Sequence, residues 1–483
     1  MVCKRLCPAP CQKSCPAGVD VPTYNAFTAM GQFDKALEVI REDNPFPGVC
    51  GRICSRACEA SCRLGQTDDP TAIRSLKRFV ADYDRGRWKP LVQPAPTTRQ
   101  EKVSIIGAGP AGLTAARDLR REGYSVTVFE AASQPGGMLR LAVPDFRLPP
   151  EVVDSDIQFI IDSGVVIQTN VTVGKDISID ELRKQGYQAI LIAIGAHRSI
   201  PLGIPGGNGP ESCPSAVDFL KEVKLGKCRR VTGSVLVVGS SYSALDAART
   251  AVRLGGSEVG LVFQRGRDQL PFEEAELKAA EEEGVVIHCL RHPLELLRSN
   301  GKVSGIKCRV CEPQAADQTG RARVTQVAGA EEAIPAQTVI FAGAQEPDLS
   351  LLSKDLDLRR NEWNLIAVDP ASLSTNQPGV FAAGDVTTGG ATVIEAIAAG
   401  QKAAAAIHRY LRGMDQSVPF RWVRPRRRVE FGEMGEGPEN FKRPQEAMRP
   451  ASERAHDFRQ ADLTYSEMLA FCGARRCLRC DMD

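Results

Sequence analysis

The stretch VSIIGAGPAGLTAARDLRREGYSVTVFE, from Val103 to Glu130, decides the fold of this chain. An apolar strand leads into a glycine-rich turn, a helix follows, and a second apolar strand ends at an acid. In a dinucleotide-binding βαβ unit, the glycines permit a tight turn, close approach of a pyrophosphate and packing of the helix on the strand, while the acid binds a ribose. The sequence therefore predicts a dinucleotide site formed by Gly107, Gly109, Pro110, Ala111, Gly112 and Glu130.

A second unit of the same pattern occupies residues 234–263, SVLVVGSSYSALDAARTAVRLGGSEVGLVF. Its turn has Ser241 where the middle glycine belongs, so a side chain stands where a pyrophosphate would approach. The second strand is followed by arginines rather than by an acid, and arginines there attract a 2′-phosphate. We predict an NADP(H) site formed by Gly239, Ser240, Ser241, Tyr242, Ser243, Arg265 and Arg267. The alternatives are a vestigial domain that is retained for structure and two solvated surface arginines.

Cysteines concentrate at both ends of the chain, which has 16 in total. Eight of them recur at every fourth position in two early runs: Cys3, Cys7, Cys11, Cys15, Cys50, Cys54, Cys58 and Cys62. Iron–sulfur cubanes take thiolates from tight runs, often ending in Cys-Pro, so these eight predict two [4Fe–4S] clusters. Structural zinc and buried free thiols are the alternatives. Near the other end, Cys472, Cys477 and Cys480 match three ligands of ferredoxin spacing without a fourth, so a further cluster there needs another segment or subunit.

Composition excludes several classes of function. The 483 residues include 61 basic and 59 acidic side chains, a balance that gives no reason to expect a nucleic-acid partner or a membrane surface. The sequence has no apolar run near the roughly 20 residues that span a bilayer, and its start lacks the apolar core of a signal peptide. We therefore expect a cytoplasmic protein with no membrane insertion.

The cysteine runs and glycine motifs together resemble the glutamate synthase small-subunit family, which shares this arrangement with the amino-terminal part of dihydropyrimidine dehydrogenase. The resemblance covers nearly the whole chain and rests on PCQKSCP (10–16), DNPFPGVCGRIC (43–54), CEASC (58–62) and the flavin motifs. It implies that Cys11 and Cys62 serve one cluster with Cys3 or Cys7, and that the other cluster is served by Cys15, Cys54 and Cys58. Lys77 stands where relatives have a Gln or Glu ligand. An ammonium cannot bind iron, which leaves Cys50 as the nearest candidate.

The same resemblance implies further contacts with FAD. The Gly384-Asp385 pair ends a strand in the family's motif for the ribityl and phosphate portion, and the helix that begins near Ala391 points its amino terminus at the flavin. The predicted residues are Gly136, Gly137, Met138, Gly195, Gly384, Asp385, Thr392 and Val393. No cysteine lies between Met138 and Pro144, and we therefore expect no thiol–disulfide chemistry at this turn.

We therefore expect an α/β chain in which two Rossmann-like domains, an FAD domain with an inserted NAD(P) domain, follow an α-helical domain with two clusters. The expected segments are 1–88 (clusters), 101–228 and 346–415 (FAD), 229–345 (NAD(P)H) and 416–483, an extended tail. Such a protein takes hydride from NADPH onto FAD and releases single electrons to a ferredoxin or a larger redox partner subunit. The alternatives are a relay subunit with a degenerate nicotinamide site and a small-molecule reductase that acts alone.

Overall fold

The computed structural model describes residues 8–84, 94–207, 213–314, 323–352, 356–416 and 441–481. The predictions for Cys3 and Cys7 fall outside these ranges, as does the basic run from Arg424 to Arg428. Within the described ranges, none of the helices combines the length and the apolar character needed to cross a membrane.

The amino-terminal domain is helical. Its elements are α1 Pro10–Ser14, α2 Val21–Ala29, α3 Phe33–Asp43, α4 Pro47–Ile53, α5 Ala57–Ala60, a 3₁₀ turn Arg63–Gln66 and α6 Ile73–Asp84. Helix α2 is buried along its whole length, and the Asp20 carboxylate accepts a hydrogen bond from the Thr23 N–H at its start. At Gly51, an added Cβ would lie 2.6 Å from the Arg78 Cα atom. The glycine therefore lets α4 pack directly on α6.

The first Rossmann-like domain begins with the unit that opened the sequence analysis. Its elements are β1 Lys102–Ile106, α7 Pro110–Arg121, β2 Ser125–Phe129, α8 Met138–Leu141, α9 Pro150–Asp162, β3 Val166–Gln168, α10 Ile179–Lys184 and β4 Tyr187–Ile192. The alternation of apolar strands with amphipathic helices gives parallel pairing of β1 with both β2 and β4. The carboxyl ends of these strands therefore meet at one edge, where the site lies.

The second domain is inserted after β4. Its elements are β5 Arg198–Ser199, α11 Ala216–Lys224, β6 Ser234–Val238, α12 Tyr242–Arg253, β7 Glu258–Val262, a 3₁₀ turn Arg267–Gln269, α13 Glu274–Glu282, β8 Val285–His288, β9 Arg291–Ser299, β10 Lys302–Gln314, β11 Arg323–Pro335, β12 Thr338–Phe341 and β13 Gln345–Glu346. Strands β12-β6-β7-β8 form a parallel sheet, and β11-β10-β9 form an antiparallel sheet beside it.

The chain then returns to the first sheet. The last elements are β14 Val380–Ala382, α14 Asp385–Thr388, α15 Val393–Leu411, α16 Ala451–Arg454 and α17 Glu467–Arg475. Strand β14 pairs in parallel with β4, which completes a sheet of order β14-β4-β1-β2-β3. The predicted fold class, with the second domain inserted into the first, is confirmed.

The carboxyl-terminal segment differs from the prediction of an extended tail. Its described part, 441–481, packs across all three domains. Arg443 pairs with Glu59 of the helical domain at 2.7 Å, Arg454 pairs with Glu283 of the inserted domain at 3.0 Å, and the Ala461 N–H donates to the Phe146 carbonyl at 2.9 Å. The prediction is therefore wrong for this part, because partners distant in sequence decide its conformation.

Candidate functional site

The first glycine turn combines two sterically required glycines with an open one. A Cβ added at Gly107 would lie 2.5 Å from the Ala193 carbonyl oxygen, and one added at Gly112 would lie 2.1 Å from the Gly107 carbonyl oxygen. An added Cβ at Gly109 would meet no atom within 4 Å. Because Gly109 directly precedes α7, the open space lies at a helix amino terminus, where free N–H groups favour a phosphate.

Glu130 lies at the end of β2, as predicted. One oxygen of its carboxylate accepts a hydrogen bond from the Ala108 N–H at 2.7 Å and the other accepts one from the Ala132 N–H at 2.8 Å. These two bonds fix the orientation of the carboxylate. Each oxygen retains a lone pair, so the group is suited to receive ribose hydroxyls.

The glycine turn at Gly136 and Gly137 packs over the turn that contains Gly109. The Gly136 N–H donates to the Ala108 carbonyl at 2.8 Å, and a Cβ added at Gly137 would lie 3.0 Å from the Gly109 Cα atom. Gly137 has a φ of 54°, which a side chain would disfavour. The turn that the resemblance placed beside the dinucleotide therefore lies against the open position at Gly109.

These turns form part of the wall of a cavity of about 1240 Å³. It is lined by most of the predicted residues: Gly107, Gly109, Pro110, Ala111, Glu130, Gly137, Met138, Gly195, Gly384, Asp385, Thr392, Val393, Ser240, Ser241, Tyr242 and Ser243. Gly112, Gly136 and Gly239 do not line it and act through packing and turn geometry. FAD fits these features: the open space at Gly109, the Glu130 carboxylate held by two backbone N–H groups, and the volume of the cavity.

Two further carboxylates, those of Asp385 and Glu395, line the cavity. Burial raises the pKa of Asp385 to about 6, although the Ala391 N–H lowers it. Glu395 accepts a hydrogen bond from the Thr392 N–H at 2.8 Å and forms a capping box at the start of α15. The motif predicted Asp385, whereas Glu395 joins the site only because a helix turn brings it into the cavity wall.

His197 also lines the cavity and was not predicted. Its Nε2 atom lies 2.7 Å from the Ile194 carbonyl oxygen, and burial lowers the pKa of the ring. The imidazole is therefore neutral at neutral pH and donates to that carbonyl. A single histidine shortly after a strand carries no recognisable signal in the sequence.

The helical domain contributes two residues to the same wall. Ile53 and Ser55 both line the cavity, and Cys54 lies between them in the chain. Cys54 is 8% exposed. One of the predicted cluster ligands thus stands directly behind the wall of the predicted flavin site.

The glycine turn of the second βαβ unit, from Gly239 to Ser243, has the predicted backbone shape but presents serine side chains. Gly239 has a φ of 146°, and an added Cβ would lie 2.6 Å from the Ala342 carbonyl oxygen. At the start of α12, the hydroxyl oxygens of Ser241 and Ser243 lie 2.7 Å apart and both residues line the cavity. The replacement of glycine by serine therefore leaves two hydroxyl groups at a helix amino terminus.

The two arginines predicted to select a 2′-phosphate differ from each other. Arg267 forms ion pairs with Glu274 at 2.8 Å and with Glu281 at 2.7 Å. Arg265 is exposed, and no ion pair of its side chain is found among the described residues. Neither residue lines the cavity, so their role stays a prediction, and the guanidinium of Arg267 is paired with two acids of α13.

The cysteines of the helical domain fall into two groups. Cys11 and Cys62 line a second, small cavity together with Cys477 and Cys480. Burial raises the pKa of Cys11 above its usual range, and the thiolates of Cys477, Cys58 and Cys62 raise it further. Cys472 does not line this cavity.

The other group surrounds Lys77, which is 3% exposed. Burial opposes its charge, but the thiolates of Cys54, Cys50, Cys58 and Cys15 together raise the pKa of Lys77. Cys50 is fully buried, and its sulfur lies 3.8 Å from the Asn44 Oδ1 atom. Lys77 is therefore a buried counter-charge among four thiols.

In the described ranges, no three His, Cys, Asp or Glu side chains are arranged to hold a single metal ion. The donor sets consist of cysteine sulfur, which is what [4Fe–4S] clusters use.

Two family models match the chain. Residues 101–400 match the model described as pyridine nucleotide-disulphide oxidoreductase, and residues 2–88 match that described as dihydropyrimidine dehydrogenase domain II, 4Fe-4S cluster. The glutamate synthase [NADPH] small chain of Azospirillum brasilense is 35% identical and covers 83% of this chain and 86% of its own length. The chain belongs to this family of iron–sulfur flavoprotein oxidoreductases.

Other members of the family are longer than this chain. The NADP(+)-dependent formate dehydrogenase subunit beta of Moorella thermoacetica is 38% identical over 98% of this chain, which spans 70% of that protein. The NADPH-Fe(3+) oxidoreductase subunit beta of Geobacter sulfurreducens is 36% identical over 83% of this chain, which spans 64% of that protein. Among solved structures, FprA from Mycobacterium tuberculosis in complex with NADPH covers 65% of this chain with a TM-score of 0.55 and 21% identity. This last likeness shows the shared fold of the two nucleotide domains.

Proposed function

We propose that this chain is the electron-input subunit of a larger assembly, which takes hydride from NADPH and passes single electrons to a ferredoxin or a partner subunit. FAD, when bound, supplies the conversion of a two-electron hydride into single electrons, and [4Fe–4S] clusters carry these one at a time. The names of three relatives support NADPH as the donor and a multisubunit setting, since those proteins are subunits of NADPH- or NADP(+)-dependent enzymes, whereas the 33%-identical PreT subunit of Salmonella typhimurium is named as NAD-dependent.

One observation carries this proposal. Ile53 and Ser55, which flank Cys54, form part of the wall of the flavin cavity. A thiolate ligand in this position brings a cluster close to the flavin without an intervening domain. This neighbourhood supports electron transfer from the flavin to the helical domain.

The residues of the chain have distinct roles in this proposal. Gly109 and the start of α7 bind the pyrophosphate, Glu130 binds the adenosine ribose, and Asp385 accepts hydrogen bonds from the ribityl hydroxyls. Ser241 and Ser243, at the start of α12, line the same cavity and offer hydroxyl groups to the NADPH phosphates. His197 is neutral, because burial lowers its pKa, and therefore adds no positive charge to the wall of the flavin cavity.

We further propose that the second cluster is held by Cys15, Cys50, Cys54 and Cys58. The ammonium group of Lys77 has no lone pair and cannot take the place of a Gln or Glu ligand. Cys50 is the remaining thiol in this group, and it is buried with the others. Lys77 then balances part of the negative charge of the cluster.

Anaerobic addition of NADPH to the purified chain tests the proposed function. The flavin absorbance should be bleached and an artificial one-electron dye should be reduced, while no organic substrate is converted until a partner is added. Turnover of a metabolite by the chain alone, at about 1 to 1,000 per second, would contradict the subunit role. A flavin that responds to dithionite but not to NADPH would instead identify a relay subunit.

Replacing Arg265 with alanine should weaken NADPH selectively. A guanidinium pairs bidentately with a phosphate, so we expect a loss of about tenfold or more in kcat/KM for NADPH and little change for NADH. Arg267→Ala is the matched control, because its side chain is already held by Glu274 and Glu281. Equal losses in kcat/KM for NADPH and NADH in the Arg265 variant would contradict the assignment of Arg265 to the 2′-phosphate.

A further inference from the structure

The carboxyl-terminal segment places two cysteines beside the amino-terminal ones. Helix α17 lies against α2, and Arg476 follows it with a fully buried side chain. The guanidinium donates to the Asp68 carboxylate at 3.0 Å and to the backbone carbonyls of Asp69 and Phe441. Since Cys477 is the next residue, its position is fixed against the loop that follows Cys62.

The small second cavity is lined by four cysteines from two distant parts of the chain. Cys11 follows the start of α1, Cys62 precedes the 3₁₀ turn, and Cys477 and Cys480 come from the end of the described chain. Arg479, between the last two, has a φ of 52° and pairs with Asp481 at 2.8 Å. This left-handed turn brings both Cys477 and Cys480 to the same cavity.

A buried amide lies among the cysteines of the cavity. Asn25 lines the cavity and is fully buried, and its side chain hydrogen-bonds to the Cys477 sulfur, which lowers the pKa of that thiol against the larger effect of burial. The sulfur atoms of a cluster accept hydrogen bonds from such N–H groups.

We propose that Cys11, Cys62, Cys477 and Cys480 together ligate one [4Fe–4S] cluster, which the carboxyl-terminal segment completes. The cysteines at the end of the chain then form no third cluster, and Cys472 is not a ligand. Each thiol releases its proton when it binds iron. This inference rests on the proposed function only in taking iron–sulfur clusters as the cofactors of the helical domain.

The first test compares three variants of the full chain, purified anaerobically. The Cys477→Ser/Cys480→Ser variant should lose about four of about eight irons, together with one signal in the electron paramagnetic resonance spectrum of the reduced protein, and should retain FAD. The Cys472→Ser variant, altered on the same segment, and the Cys3→Ser/Cys7→Ser variant should each retain about eight irons and the signals of both clusters. Full iron content in the first variant, or loss of about four irons in the Cys3/Cys7 variant, overturns the inference.

A second test uses the unaltered protein, in case the double variant does not fold. Alkylation of thiols, followed by mass spectrometry, compares the iron-loaded chain with the chain after chelation. Cys477 and Cys480 should be protected by iron and labelled after its removal, whereas Cys472 should be labelled equally in both states. Equal labelling of Cys477 and Cys480 in both states overturns the inference. About four irons in the unaltered chain, with Cys477 and Cys480 protected, would refute the second cluster and support this one.

Discussion

Replacement of Gly109 by valine should yield a folded chain that binds FAD more weakly. The φ of Gly109 is −79°, which a branched side chain adopts readily, and its Cβ position is free of protein atoms. The added methyl groups would occupy the space where the pyrophosphate meets the start of α7. Overpacking of this kind costs about 1–3 kcal/mol, so FAD affinity should fall by about 5- to 150-fold. The ratio of FAD to protein after purification measures the effect, and circular dichroism verifies the fold.

Ser241→Val is the matched control for this variant. Ser241 occupies the equivalent position in the glycine turn of the second βαβ unit, with a φ of −97°. This substitution should leave FAD bound and should weaken reduction by NADPH. Normal FAD content in the Gly109 variant, or loss of FAD in the Ser241 variant, would contradict the assignment of the two turns.

Replacement of Glu283 by glutamine should strongly destabilise the chain. Its buried carboxylate pairs with Arg249 at 2.6 Å, with Arg253 at 2.7 Å and with Arg454 at 3.0 Å. Without it, the buried guanidinium groups of Arg249 and Arg253 lose their anion and Arg454 keeps only Glu282, and a loss of this kind typically costs about 3–5 kcal/mol. The midpoint of thermal unfolding should fall, and limited proteolysis should release the carboxyl-terminal segment, because Arg454 belongs to it.

The same carboxylate gives a pH dependence. Burial alone would raise the pKa of Glu283, but hydrogen bonds from Arg249 and Arg253 outweigh it and lower the pKa to about 2. Its stabilising contribution is therefore complete above the unfolded value of 4.5 and is lost as the pH falls from there towards 2. Glu331→Gln, at an exposed pair with Lys307 and Arg309, should leave the midpoint nearly unchanged. An equal effect of the two substitutions would contradict the role of Glu283.

The sequence predicted those parts of the site whose chemistry is local. Gly107 and Gly112 are required by contacts within one turn or with the adjacent strand, and Glu130 ends the strand that follows. Such positions keep a fixed spacing along the chain, so a pattern of residues is sufficient to identify them. The return of β14 to β4 was predictable for the same reason, since a glycine and an acid mark the end of the strand.

The parts that were missed depend on contacts between distant residues. Arg267 is predicted to meet a phosphate, and its pairing with two acids on the following helix could not be read from the sequence. The segment around Arg476 was predicted to be extended, but Asp68 and the carbonyl groups near it hold the segment in place. Nothing in the local sequence specifies these partners, because only the folded domains bring them together.

The most direct test of the central claim is to count the electrons that the chain accepts from NADPH under anaerobic conditions. Flavin absorbance and electron paramagnetic resonance are recorded at each addition. If hydride enters at the flavin cavity and electrons leave through two clusters of the helical domain, of which Cys54 ligates one, the chain should accept about four electrons, two on the flavin and one on each cluster. Saturation at about two electrons, with the flavin bleached and the clusters still oxidised, would contradict the account.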